Sequence, residues 1–300
     1  MTIEEIFAYF VEYISAPLIL AIGLIGNTLG LIAFFNKKLA NVGPCIIYRS
    51  LFFTDSFYLA QIIVFYLQYP FFIDLTVISS FSCKIFYYVN FITCLPSPWF
   101  LVYISIEKCI SIVYPTKRLI LKKQLYQYIY IFSVYIFSSL FYLYLAIEYD
   151  VSQQGNYTIC NFKDYTGQLV INWMYSISSV YLPFIAMILI SVMLAFFLTM
   201  ISFQQGADPE IIPEKLKKRL ARDRIYTKSS FFMNLVFILL NLPISILYFY
   251  PDVLLNSYLN VFILHLQILS YGISLYIIII MNTKFRASLW KILRKKKPKQ

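Results

Sequence analysis

Seven long apolar stretches dominate this 300-residue chain, at roughly 13–35, 46–69, 80–114, 125–147, 170–203, 226–250 and 257–282. Each reaches the length of about 20 apolar residues that a helix needs to cross a bilayer. Charge, Pro, Asn or polar runs separate them: Asn36-Lys37-Lys38, Pro70, Pro115-Thr116-Lys117-Arg118, residues 150–163, residues 204–224 and Pro251-Asp252. Backbone polar groups in hydrocarbon must find partners within the protein, and helices do this within one segment. The pattern therefore predicts an all-α membrane protein, a seven-transmembrane helix bundle over residues 13–282. Residues 1–12 precede it, and a short amphipathic helix and basic tail (283–300) follow it. The third and fifth stretches are long enough to tilt or to run past the bilayer. Composition closes the alternatives. Hydrophobic residues make up 60% of the chain and charged ones only 13%, about half the usual share for a soluble domain. A soluble globular enzyme, a disordered chain and a disulfide-dense secreted module are all excluded. The single histidine, His265, and the absence of CxxC or HxxxH spacing argue against zinc chemistry.

The distribution of charge predicts sidedness. Of the 25 Lys and Arg, only Lys84 and Lys163 fall on the side shared by the N-terminus and the even-numbered loops. Glu4, Glu5, Glu12, Asp74, Glu148, Asp150, Asp164 and Asp252 all fall there. Basic loops stay in the cytoplasm, so the N-terminus is expected outside and the C-terminus inside, in a multi-pass protein of the plasma membrane. The net charge of +11 reflects that cytoplasmic face. It suits anionic lipid better than nucleic acid. Met1-Thr2-Ile3-Glu4-Glu5 lacks a basic signal-peptide start, and the first stretch is too long for a signal-peptide core, so no cleavage is expected. Asn156-Tyr157-Thr158 is an N-glycosylation acceptor in the second outer loop. Cys83 and Cys160 both face the oxidising side, where they are either free or joined.

Ionisable groups at membrane depth are costly and are functional candidates by default. Asp55 lies about ten residues into the second stretch, with Asn27 and Ser97 as candidate partners. It is either a cation- or water-binding carboxylate or a protonated packing group. Glu107-Lys108, at the inner end of the third stretch, is either a charged latch or a snorkelling interfacial pair. Pro96, Pro98, Pro183 and Pro243 fall inside helical stretches and predict kinks. Asn90, Thr93, His265 and Gln267 are polar groups near the outer half, either lining a pocket or bonding helix to helix.

Together these residues resemble the rhodopsin-like G-protein-coupled receptors. Gly26-Asn27 is similar to the family's first-span Gly-Asn, and Asp55 follows Asn27 by 28 residues, as the family's second-span Asp does. Cys83 precedes Lys108 by 25, the family's interval from its third-span Cys to the Arg of Asp-Arg-Tyr. The run from Ile106 to Pro115 matches that motif's surroundings. Pro183 resembles the fifth-span Pro, and Phe237 with Leu240-Asn241-Leu242-Pro243 resembles Phe-x-x-Cys-Trp-x-Pro. The resemblance implies a Cys83–Cys160 disulfide. It implies a sodium and water network at Asp55, Asn27 and Ser97, with no cofactor beyond that sodium ion. It implies roles for Glu107, Lys108, Pro115, Phe237 and Pro243 in G-protein coupling and activation. Phe285, Leu289, Trp290 and Leu293 share one face of a basic helix that resembles the family's eighth, lying on the inner leaflet. The residues after it contain no Cys and almost no Ser or Thr, so neither palmitoylation nor arrestin recruitment through that tail is expected. Residues 214–224 are Lys/Arg-rich and are expected to extend the fifth and sixth helices.

The departures are specific. Lys108 stands where the family has Arg and lacks its planar fork. Asn241 replaces the sixth-span Trp. Ser274-Leu275-Tyr276-Ile277-Ile278 replaces Asn-Pro-x-x-Tyr, and residues 125–147 contain no Trp. No Lys lies between Lys228 and Lys284, which excludes a retinal Schiff base in the seventh span. Asn90 occupies the place where amine receptors carry Asp, which disfavours a biogenic amine. The acidic outer face favours cationic ligands by long-range attraction, and amidated basic peptides of the FMRFamide type would suit. The run from Trp99 to Pro115 looks most like divergent invertebrate peptide or orphan receptors. The implied partners are an extracellular ligand, a heterotrimeric G protein and membrane lipid, with no chemistry performed by the chain. A seven-span transporter or channel is the alternative, but no internal repeat is visible and only 8 Gly are present. An intramembrane enzyme would need a catalytic pair that neither His265 nor Asp55 has in sequence.

Overall fold

The computed structural model describes residues 14–36, 44–66, 74–114, 123–155, 157–207, 214–249 and 257–294. Among the described residues, five helical segments are long and apolar enough to cross a membrane: Ala16–Phe35, Ser80–Val113, Gln124–Glu148, Tyr165–Phe197 and Thr227–Tyr248. The pair Leu259–Gly272 and Ser274–Met281, bent by 57°, makes a sixth span. Cys45–Tyr66 completes the seven-helix bundle. It is less apolar because Arg49, Asp55 and Gln61 lie along it. We number these helices as first to seventh span in chain order. The end bearing the 149–162 segment is the hairpin end, and the end bearing the C-terminal helix Thr283–Arg294 is the tail end.

Local chemistry sets the boundaries. Pro17 occupies the first turn of the first span, where no backbone donor is needed. The Ser79 hydroxyl caps the third span by accepting from Ser82 N at 3.0 Å. The Asp164 carboxylate caps the fifth by accepting from Gly167 N at 2.6 Å. Asn282 Oδ1 caps the C-terminal helix through Phe285 N at 3.0 Å. The sixth helix runs unbroken from Glu214 to Phe249, so the Lys/Arg-rich segment does extend a membrane helix.

Pro96, Pro98 and Pro183 disturb their helices as the sequence predicts, each with a local solution, whereas Pro243 lies inside an unbroken helix. Leu95 interrupts the third span between Ser80–Cys94 and Pro96–Val113. Pro96 and Pro98 then lie in the opening turn of the second half, where their missing donors cost little. In the fifth span, Ser176–Tyr181 widens to a π-helix just before Pro183. The π pattern would pair the Ser178 carbonyl with residue 183, which has no N–H. Trp99 Nε1 donates to that carbonyl instead, at 3.0 Å. In the seventh span the helix breaks at Ile273. Asn27 Nδ2 donates to the Tyr271 carbonyl beside the break at 3.0 Å. Asn27 thus holds the seventh span to the first, a role its sequence position did not announce.

The third span runs through the middle of the bundle, packed on the second, fourth, fifth and sixth, and the seventh closes the ring onto the first. There the backbones nearly touch. A Cβ added at Gly272 would lie 2.7 Å from the Cα of Gly23, which is how small residues let membrane helices approach. The surface is inverted relative to a soluble protein. Phe132, Phe81 and Leu189 stand exposed, whereas Asn27, Asp55, Glu107, Asn241 and His265 are buried.

Residues 150–163, read from sequence as a polar loop, form an antiparallel hairpin. β1 (Tyr149–Gln154) pairs with β2 (Tyr157–Phe162) in the register Tyr149↔Phe162 to Gln154↔Tyr157. Gly155 takes φ 63°, the left-handed conformation that a two-residue hairpin turn favours and that glycine adopts without strain.

Candidate functional site

At the hairpin end, Cys83 and Cys160 are joined by a disulfide with Cα atoms 5.6 Å apart. It ties the first turn of the third span to β2. The stacked rings of Tyr87 and Tyr149, with centroids 4.0 Å apart, add a second contact, from the third span to β1. Lys84 Nζ and Lys163 Nζ lie 3.7 and 3.9 Å from Asp150 Oδ2, so the two bases on this side share one acid. The Ser80 hydroxyl first, the Val151 N–H next and both lysines more weakly hold the Asp150 carboxyl below the usual carboxylate range.

Beneath the hairpin a cavity of about 360 Å³ opens between the second, third, fifth, sixth and seventh spans. That volume falls at the lower end of the range for ligand pockets. Tyr58, Phe65, Tyr87, Phe91, Tyr175 and Tyr248 form its aromatic wall. The rings brace one another edge to face, with centroids 5.8 Å apart for Phe91–Tyr175 and 5.3 Å for Tyr175–Tyr248. Two side-chain amides, Asn90 and Gln267, interrupt the wall. Gln267 Nε2 donates to the Tyr175 hydroxyl at 2.6 Å. Asn90 Nδ2 is buried without a hydrogen-bond partner. No charged residue is among the described residues that line the cavity.

The four polar residues that the sequence pointed to in the outer half therefore separate. Asn90 and Gln267 meet at the cavity, while Thr93 and His265 are absent from its lining. Thr93 Oγ1 donates to Gln61 Oε1 at 2.8 Å and faces a lateral groove with Thr54 and Tyr135, whose hydroxyls are bonded to each other. His265 Nδ1 is 2.6 Å from the Val261 carbonyl of its own helix.

Below the cavity lies a fully buried polar centre. Neither oxygen of Asp55 has a hydrogen-bond partner, and Asn27 Oδ1 has none either. The Ser97 hydroxyl neighbours the Asp55 carboxyl. A carboxylate, an amide oxygen and a hydroxyl are hard oxygen donors, so the chemistry of these three side chains suits a hard cation such as sodium.

At the tail end, Glu107 and Lys108 are buried together. Lys108 Nζ donates to Glu107 Oε2 at 2.7 Å, and Ser111 Oγ donates to Glu107 Oε1 at 3.1 Å. Three residues earlier, Ser105 Oγ accepts from Asn234 Nδ2 of the sixth span at 2.7 Å and lies 3.4 Å from Ser230 Oγ. This bond between the third and sixth spans escaped the sequence reading. The signal was a polar residue at helical spacing before each motif, Ser105 before Lys108 and Asn234 before Phe237. Phe237 packs edge-on to Tyr271 at 6.3 Å. Asn241 Nδ2 donates to the Phe237 carbonyl at 2.8 Å, two residues before Pro243. Pro115 and Asn156 lie outside the described residues.

A model of the 7 transmembrane receptor (rhodopsin family) matches residues 26–260. No curated protein matches the chain. The match covers most of the sequence and agrees with the bundle, the disulfide and the C-terminal helix, so the chain belongs to the rhodopsin family of seven-transmembrane receptors. It is a multi-pass membrane protein of a class that signals through G proteins and performs no catalysis of its own.

Proposed function

We propose that this receptor works at the plasma membrane with its hairpin end outside, where it binds a peptide. Its tail end then activates a heterotrimeric G protein. The observation that carries the reading is the aromatic cavity on the hairpin half of the bundle, between five spans that meet around the third. The Lys/Arg bias supports the sidedness, since only Lys84 and Lys163 fall at the hairpin end. Asn156 would then face the glycosylation machinery. A cavity of this size accepts the end of a ligand, and the hairpin above it offers further polar surface, which suits a peptide better than a small amine. Glu107, Lys108, Phe237 and Pro243 would serve coupling, through the third–sixth span contact that Ser105 and Asn234 share. The receptor–peptide reading is tested in cells expressing the chain, challenged with a peptide library while G-protein activation is recorded. A peptide-dependent response is expected. Confirmed surface expression with no response through any G-protein class would overturn the reading.

Asp55, Asn27 and Ser97 would hold a sodium ion, which balances the buried carboxylate and joins the first three spans. Anything bound by the folded state alone raises its stability. The purified receptor is therefore expected to melt at a higher temperature in sodium chloride than in choline chloride of equal strength. Asp55→Asn should remove that difference. A sodium effect that survives the substitution would place the ion elsewhere.

A further inference from the structure

We propose that the lateral groove beside the second and fourth spans binds an anionic phospholipid, with its phosphate on the Arg49 guanidinium and one acyl chain laid along the groove. The groove holds about 550 Å³ and is lined from the first four spans. Phe35, Phe53, Phe57 and Tyr128 along it stand exposed on the outside of the bundle, so it opens to lipid. It shares no described lining residue with the cavity beneath the hairpin. Its length suits one leaflet. Ile46 and Phe57 lie 11 residues apart on the second span. That is a rise of about 16 Å, about half of a hydrocarbon core of about 30 Å.

The two ends of the groove differ. Along its floor and at its deep end the polar groups are already paired. Thr93 Oγ1 donates to Gln61 Oε1 at 2.8 Å, Thr54 Oγ1 donates to the Ser50 carbonyl at 2.7 Å, and the Thr54 and Tyr135 hydroxyls are bonded to each other. What remains there for an occupant is apolar contact, which a hydrocarbon chain supplies. At the tail end, Arg49 lies one turn inside the second span and Tyr128 one turn inside the fourth. The Ile46 N–H donates to Gln127 Oε1 at 3.1 Å and joins the two spans at that level. Arg49 Nε and Nη2 donate to the Phe34 carbonyl at 3.0 and 2.8 Å, and the guanidinium lies 4.4 Å from the Phe35 ring centroid. These contacts fix the guanidinium without neutralising it. Among the described residues its Nη1 has no hydrogen bond and no carboxylate pairs with it. A cation beside hydrocarbon calls for an anion, and the planar fork matches the oxygens of a phosphate. A sterol offers one hydroxyl and no charge, which leaves the guanidinium unbalanced. A zwitterionic lipid brings its own cation beside the phosphate, in competition with Arg49. This site does not depend on the peptide reading. With the sidedness proposed above it faces the cytoplasmic leaflet, where anionic lipids concentrate.

The test uses the purified full chain in nanodiscs of phosphatidylcholine. A trace of phosphatidylglycerol or phosphatidylcholine carries a photoactivatable diazirine in one chain, and the cross-linked peptides are mapped by mass spectrometry. Labelling of residues 46–57 and 128–135 by the glycerol lipid is expected to exceed that by the choline lipid about 10-fold, the effect of one charge-assisted hydrogen bond. Arg49→Gln should bring it down to the choline level, and Arg49→Lys should keep part of the excess. Because Arg49 also ties the second span to the first, the thermal midpoint of each variant shows that it folds. Ser50→Phe fills the groove with Arg49 left in place and should remove labelling by both lipids. Equal labelling by the two lipids, an excess that survives Arg49→Gln, labelling that survives Ser50→Phe, or displacement of the probe by a sterol but not by unlabelled phosphatidylglycerol overturns the assignment.

Discussion

Replacing Lys108 with Met is expected to destabilise the receptor by about 3–5 kcal/mol, the range for removing one partner of a buried ion pair. The reason is Glu107. Its side chain is completely buried, and Lys108 Nζ lies 2.7 Å from its Oε2. Without Lys108 the carboxylate keeps the Ser111 hydroxyl at 3.1 Å, but a neutral donor does not balance a charge in a dry interior. The double variant Glu107→Gln with Lys108→Met should recover most of the lost stability, because two neutral groups of similar shape need no counter-ion. Thermal unfolding of the four combinations in one detergent measures the coupling. Additive losses would show that the two charges do not depend on each other. We further expect the double variant to fold and reach the surface yet fail to activate a G protein, which separates coupling from stability. The pair stands one turn from the Ser105–Asn234 bond to the sixth span, so a change in Lys108 is felt where the two helices meet. Lysine offers a single compact charge here, where a guanidinium would offer a planar fork.

Breaking the disulfide should have a comparable effect at the opposite end. Cys83 and Cys160 are 77 residues apart in sequence. Removing a native bond of this kind costs about 2–5 kcal/mol, more for longer loops. With Cys83→Ser the hairpin keeps its own ladder and the Tyr87–Tyr149 stack, but loses its covalent tie to the third span. Surface expression is expected to fall several-fold, and the molecules that do reach the surface should lose ligand response. Cys160→Ser should match it, and the double substitution should be no worse than either single one. Unchanged response in either single variant would show that the hairpin holds its position over the cavity without the bond.

The two ends differ in how far they could be read in advance. The Cys pair and the Glu107-Lys108 pair stand out because Cys and charge are rare in this chain, and rarity in hydrocarbon marks a residue. The cavity does not stand out. Its wall is drawn from 28 Phe and 27 Tyr, and nothing separates Tyr175 or Tyr248 from the aromatic residues that face lipid. Polar residues were visible as candidates, but their destinations were not. Asn90 and Gln267 line the cavity, Thr93 turns to Gln61, and His265 bonds back to its own helix. Asn27 was visible as a candidate partner of Asp55, but not that its Nδ2 holds the Tyr271 carbonyl where the seventh span breaks.

What the sequence by itself determined is what the bilayer demands of any chain. Seven apolar stretches must be helices, because backbone groups in lipid have no water to turn to. Prolines remove a backbone donor from those helices, although the helix through Pro243 continues unbroken. The tertiary structure alone decided which face of each helix turns inward. In a soluble protein the apolar face announces itself; in a membrane both faces are apolar, and side-chain packing makes the choice. The close approach of Gly23 to Gly272, the π-turn relieved by Trp99 and the orphan amide of Asn90 all follow from that packing, and with them the shape of the site.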